Sequence, residues 1–147
     1  MKVAASNRRA RHDYEILDTF EAGIALEGSE VKSIREGKVV LKDSFAHVRD
    51  GEVWLVGTYI APYEFSRGGG HDPERTRKLL LHRREIERIN AKLGEQGLTL
   101  VPLQIYLKDG KAKVELGLGR GKRTIDKREA IKERDQQREI ERALRRR

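Results

Sequence analysis

Two Asp-Gly pairs constrain the fold of this chain more than any other feature. Arg49-Asp50-Gly51-Glu52 and Lys108-Asp109-Gly110-Lys111 each set Asp-Gly between β-prone runs. This is the strongest short-range hairpin signal, because a type I′ turn needs φ > 0 at both central residues. Two hairpins are therefore expected. Around the second, Val101, Leu103, Ile105 and Leu107 alternate with Pro102, Gln104 and Tyr106, and Ala112, Val114, Leu116 and Leu118 alternate with Lys113, Glu115 and Gly117. That period of two predicts one core face for each strand. Upstream, residues 14–17 and 22–26 read as one long, bent strand or two short ones. Residues 53–56 read as a strand buried on both faces, and Pro62 closes the strand after it.

Two helices interrupt the strands. Ser29 is placed to cap the first, over about residues 30 to 36, with Val31 and Ile34 turned inward, Lys32 and Arg35 outward, and Gly37 at the C′ position. The second starts near His82, where Glu85 three residues later resembles a capping box. Ile86, Ile89 and Leu93 follow at helical spacing before Gly94 and Gly97. Residues 64–78 hold three consecutive glycines, a proline and four Arg or Lys, a composition that predicts a mobile basic loop with His71 solvated. The sum is mainly β with small helices: five to seven short strands in a closed or partly open β-barrel of the oligonucleotide-binding type, whose closure hides strand edges.

The chain divides at its charge. Residues 120–147 carry twelve Lys or Arg against six Asp or Glu and no aromatic side chain, a net +6 out of +8 for the whole. That segment cannot build a core, so residues 1–119 form the barrel domain and 120–147 a basic tail, disordered or helical. A near-neutral body with a basic, helix-prone end points to a polyanionic partner, of which RNA is the commonest.

Other classes are excluded or unsupported. The absence of cysteine removes disulfides, thiolate metal sites and a cysteine nucleophile, and fits a reducing cytoplasm. No apolar run approaches the length of a membrane span, and the first residues lack the hydrophobic stretch of a signal peptide. Gly121-Lys122-Arg123-Thr124 looks like the end of a phosphate loop, but Leu116 stands where its first glycine is needed and Arg123 where Ser or Thr is needed. The four histidines lack helical zinc spacing, and no carboxylate cluster suggests a metal. No catalytic residue, metal or cofactor is expected. A metal-dependent nuclease would require carboxylates converging from distant strands.

Several motifs carry a more specific signal. Residues 7–14 (Asn-Arg-Arg-Ala-Arg-His-Asp-Tyr), 21–24 (Glu-Ala-Gly-Ile), 28–35 (Gly-Ser-Glu-Val-Lys-Ser-Ile-Arg), 72–81 (Asp-Pro-Glu-Arg-Thr-Arg-Lys-Leu-Leu-Leu) and 119–123 (Gly-Arg-Gly-Lys-Arg) followed by Asp126-Lys127-Arg128 closely resemble the SsrA-binding protein (small protein B) family, in order and without large gaps. The resemblance implies an oligonucleotide-binding-type barrel, acting as a monomer without catalysis. It binds transfer-messenger RNA and delivers it to ribosomes stalled on messages without a stop codon. It also implies an RNA-binding surface with Asn7, Glu21 and Leu80, near the charges of Arg8, Arg9, Arg11, His12, Lys32, Arg35, Arg77 and Lys78. Guanidinium groups pair with phosphates, an Asn amide can meet a base edge, and an exposed Leu can pack on a splayed base. Glu21 either receives a base donor, orients an arginine or sits in an intramolecular ion pair, and Leu80 is either exposed for RNA or plain core.

For the tail, the resemblance implies occupation of the empty messenger channel and decoding centre, where it becomes helical against small-subunit ribosomal RNA. Gly119 and Gly121 would give a flexible exit from the barrel. Arg120, Lys122, Arg123, Lys127 and Arg128 would supply phosphate contacts, with Asp126 opening the helix-forming stretch. Ile125 stands where many relatives carry a histidine or an aromatic residue, so it covers a base face without aromatic stacking. A general RNA-binding translation factor or ribosome-associated protein with the same barrel is the alternative.

Overall fold

The computed structural model describes residues 1–63 and 71–122. In chain order they form β1 (Lys2–Ser6), α1 (Arg8–Asp13), β2 (Tyr14–Ile24), α2 (Gly28–Arg35), β3 (Val39–Val40), β4 (Phe45–Arg49), β5 (Glu52–Val56), β6 (Tyr59–Ile60), β7 (Arg77–Leu80), α3 (Arg83–Gln96), β8 (Thr99–Lys108) and β9 (Lys111–Gly121). The sheet runs β8-β4-β5-β7-β2-β9 and closes by pairing β9 with β8, while β1 adds to β8 and β3 pairs only with β6. The result is a closed antiparallel barrel. Both Asp-Gly turns are of the expected type, with φ of 53° and 75° at Asp50 and Gly51 and 52° and 77° at Asp109 and Gly110.

The core fills the barrel from all sides. Val53, Leu55, Leu79, Leu100, Ile105, Val114, Leu116 and Leu118 project inward and join Ile34 of α2 and Ile89 of α3 in one buried cluster. α3 is capped as its sequence predicts, with the His82 amide donating to Glu85 at 3.2 Å and left-handed Gly97 ending it. Gly94 stays inside the helix.

Six expectations need correction. α2 begins earlier than expected, with Glu27 rather than Ser29 at the N-cap. There Glu30 accepts the Glu27 amide at 2.8 Å. β5 buries Val53 and Leu55 completely but leaves Trp54 and Val56 half-covered, because only one of its faces meets the core. β8, by contrast, is covered on both faces. Val101 and Leu103 pack outward on Ala10 of α1, with Tyr14 and Ile16 beside them, and a bulge between Pro102 and Gln104 then returns Ile105 to the interior. His71 is buried rather than solvated: its Nε2 donates to the Ile60 carbonyl and its Nδ1 shares a hydrogen bond with Ser29 Oγ, both at 2.8 Å. Of the expected loop, residues 64–70 lie outside the described part, and Arg77 and Lys78 already belong to β7.

The last correction concerns the exit from the barrel. β9 runs past Gly119 to Gly121, pairing Gly119 with Ile16 and Gly121 with Tyr14. Gly119 is buried, and a Cβ there would lie 2.9 Å from the Cβ of Tyr14. Close approach, not flexibility, is what requires this glycine. Gly119→Ala should therefore cost about 1–3 kcal/mol through overpacking. Gly28→Ala, which meets nothing within 4 Å at the start of α2, should be nearly neutral. Urea unfolding midpoints of the two variants provide the check.

Candidate nucleic-acid interface

The outer surface of the β2–β9 ladder brings most of the expected residues into one band. At one end, α1 presents Arg8, Arg9, Arg11 and His12, all exposed. Arg9 pairs with Asp13 at 3.5 Å, one turn on, and His12 contacts the same carboxylate at 3.2 Å. Arg11 reaches across to Glu115 of β9 at 2.8 Å, and Glu115 stands opposite Glu21 in the ladder. Arg8 has no ion pair among the described residues and is free to meet a phosphate.

Asn7 holds this arrangement but does not belong to its surface. It is only 7% exposed. Its Oδ1 accepts the Ala10 amide as the cap of α1, and its Nδ2 donates to the carbonyls of Pro102 at 3.0 Å and Leu41 at 3.4 Å. With its amide committed to the protein, it positions the arginines of α1 and cannot reach a base edge without breaking its cap.

In the middle of the band, Glu21 accepts a hydrogen bond from the Tyr106 hydroxyl and faces Lys108 Nζ at 3.4 Å. The intramolecular alternative thus describes its contacts. The Tyr106 hydrogen bond, helped by Lys108 and Lys113 and opposed by partial desolvation, holds the Glu21 carboxyl below its ordinary value. Burial, reinforced by the same bond, pushes the Tyr106 hydroxyl well above its own. Glu21 is therefore a carboxylate at neutral pH, with its side chain still 42% exposed.

Leu80 closes the other end. It is 51% exposed and stands opposite Gly23 across the neighbouring β2–β7 pairing, where a side chain in place of Gly23 would press on it. It is not core. A hollow beside it is bounded by Ile24, Leu26, Val31 of α2 and Lys113 of β9. Lys113 faces both Leu80 and Glu21. In the sequence Lys113 is only a polar position in a strand alternation, and the β2–β9 register is what brings it here.

The remaining candidates separate. Lys32 and Arg35 are exposed on α2, with Lys32 Nζ 5.1 Å above the Tyr63 ring. Lys78 lies on the outward side of β7, 3.5 Å from Glu52. Arg77 is overturned as a surface charge: it is wholly buried, with its Nε 2.5 Å from an oxygen of equally buried Glu30. Its alternation with Lys78 along β7 turns it inward. Arg120 is exposed and Lys122 follows the end of β9 next to Tyr14, so the chain leaves the barrel beside α1. Arg123, Ile125, Asp126, Lys127 and Arg128 lie outside the described residues. Among the described residues no group of three or more His, Cys, Asp or Glu could hold a metal, and no helix is long and apolar enough to cross a membrane.

A closed barrel with a charged outer band, capped and flanked by short helices, defines an oligonucleotide-binding-type β-barrel protein. Comparison with known proteins narrows this. The family model described as SmpB protein matches residues 4–146. The SsrA-binding protein of Sulfurihydrogenibium is 57% identical over 143 residues, covering 97% of this chain and 94% of the relative. That of Chloroflexus aggregans is 61% identical over 146 residues, covering 99% and 92%. A solved structure described as tmRNA-SmpB on a journey to the center of the bacterial ribosome matches with a TM-score of 0.69 and 58% identity, over 83% of this chain and 85% of that one. The chain belongs to the SmpB family, an RNA-binding family and not an enzyme class.

Proposed function

We propose that this protein binds transfer-messenger RNA through the outer band of its barrel and delivers it to stalled bacterial ribosomes in trans-translation. Its basic tail would occupy the empty messenger channel and decoding centre, in the cytoplasm and without a chemical step of its own. The observation that carries this reading is the run of the family match through the tail to residue 146, joined to a band that begins at Leu80 and ends where the tail leaves. Ten residues of β2 separate those ends (Tyr14 to Gly23), roughly 30 Å at ~3.3 Å per residue, room enough for separate RNA and ribosome contacts. Arg8, Arg9, Arg11, His12, Lys32, Arg35 and Lys78 supply charge, Leu80 packs on a base or sugar, and Glu21, Tyr106 and Lys108 form the polar centre. Arg120, Lys122, Arg123, Ile125, Asp126, Lys127 and Arg128 face the ribosome.

Pull-down of bound RNA followed by sequencing tests the reading, with enrichment of transfer-messenger RNA over ribosomal RNA as the expected result. Equal recovery of both would favour a general ribosome-associated factor. The salt dependence of binding locates the charges. Arg8→Ala and Arg11→Ala should each lower the slope of log affinity against log salt by about 0.7–0.9, the release of one phosphate's counterion. Unchanged slopes in both would move the phosphates away from α1.

A further inference from the structure

The β4–β5 hairpin shows a grouping of aromatic side chains that the outer band does not use. Its alternation turns Val53 and Leu55 into the core, so Phe45, His47 and Arg49 of β4 and Glu52, Trp54 and Val56 of β5 share the outward face in register. Phe45 is 45% exposed, and its ring centroid lies 6.1 Å from that of His47. His47 is paired directly with Trp54. The Trp54 indole N–H donates to the Arg49 carbonyl at 3.3 Å, which ties down the ring before anything binds. Beside it opens a hollow of about 340 Å³ lined by His47, Arg49, Asp50, Trp54 and Thr76.

We propose that this hollow holds an unpaired RNA nucleobase, stacked on Trp54 and His47, with Arg49 meeting its phosphate. The proposal rests on the reading of the protein as RNA-binding but concerns a separate surface. Three rings on one exposed sheet face, with a hollow beside two of them, offer the π-surfaces that splayed bases use. Arg49 projects into solvent, 77% exposed and 3.9 Å from Asp50, so it can turn to a phosphate at little cost. Thr76 and Asp50 supply a hydroxyl and a carboxylate for the base edge. The face is also continuous with the outer band, since Trp54 pairs with Lys78 of β7 and Leu80 follows on the same side of that strand. An RNA held at Leu80 therefore needs only a short single-stranded excursion to reach Trp54.

Trp54 is the only tryptophan in the chain, so its fluorescence reports this site alone. Full-length protein titrated with an oligoadenylate hexamer should show saturable quenching, and inorganic polyphosphate of similar charge should not quench. Trp54→Leu, which keeps an apolar side chain on the hairpin, should weaken oligoadenylate binding by about fivefold or more. Equal quenching by polyphosphate, or undiminished oligoadenylate affinity in the variant, would overturn the site. A gel shift with transfer-messenger RNA on the same preparation separates the two readings. Intact shift without quenching defeats the stacking site alone, and loss of both defeats the RNA reading on which it rests.

Discussion

Ending the chain after Lys122 should leave affinity for transfer-messenger RNA within about tenfold of the full-length value, a loss of at most ~1.4 kcal/mol, while peptide tagging on stalled ribosomes falls to background. The barrel strands and the outer band lie within the first 122 residues, because β9 ends at Gly121. The full chain carries +8, and residues 123–147 carry ten Lys or Arg against six Asp or Glu, a net +4, so the cut removes half of the net charge and none of the barrel. Cutting after Gly119, the boundary that composition alone gives, would also strip the pairing of Arg120 with Glu15 and Gly121 with Tyr14 and confuse tail loss with barrel damage. Arg138→Pro makes the finer test. The residues after Asp126 are good helix formers without Gly or Pro, and proline in a helix interior costs about 3 kcal/mol. RNA binding should survive this variant and tagging should not. Tagging by the protein cut after Lys122 would show that the barrel alone engages the ribosome.

The parts legible in sequence were those fixed by local chemistry. Asp-Gly turns demand their conformation wherever they stand, and the capped helix at His82 with its spaced apolar residues needs no tertiary knowledge. α1 is not legible in the sequence because six residues, five of them charged or histidine, carry no apolar stripe. Its helicity depends on the Asn7 cap and on Ala10 packing against Val101 and Leu103. The same tertiary cause hid the second face of β8. Among the candidate site residues, sequence order offers Arg8, Arg11, Glu21 and Leu80 but cannot say which way a side chain points. Asn7 and Arg77 proved to be internal, and Lys113 emerged only from register. His71 sits beside three glycines yet is buried, since composition reports average exposure and cannot see that Ser29 and the Ile60 carbonyl are waiting for a ring.

Arg77 and Glu30 should yield the largest loss of stability in the described part of the chain. Both are wholly buried. Arg77 Nε and Arg75 Nη2 each lie 2.5 Å from an oxygen of Glu30. Arg77 also donates to the carbonyls of Thr58 at 2.8 Å and of Arg75 and Pro73 at 3.0 Å. This network clamps α2 onto β7 and the segment before it. Removing one partner strands the other charge in the interior, so Arg77→Ala or Glu30→Ala should cost about 3–5 kcal/mol, a large share of the roughly 5–15 kcal/mol that holds a domain folded. Replacing both with apolar residues of similar volume should cost much less, because no buried charge is left over. Acid should act in the same direction. Burial pushes the Glu30 carboxyl up, but hydrogen bonds from Arg75, the Glu27 amide and Arg77 outweigh it and hold the carboxyl below its ordinary 4.5. A lowered folded-state value stabilises above the unfolded value, and that contribution is lost as pH falls from about 4.5 through the folded value. Urea unfolding of wild type and Glu30→Gln between pH 3 and 7 measures it, with a flatter profile expected for the variant. Under conditions where Arg77→Ala remains folded, its salt slope for transfer-messenger RNA should match wild type, since a guanidinium enclosed by carbonyls and Glu30 releases no counterion. A reduced slope would return Arg77 to the RNA surface and undo its assignment to the core.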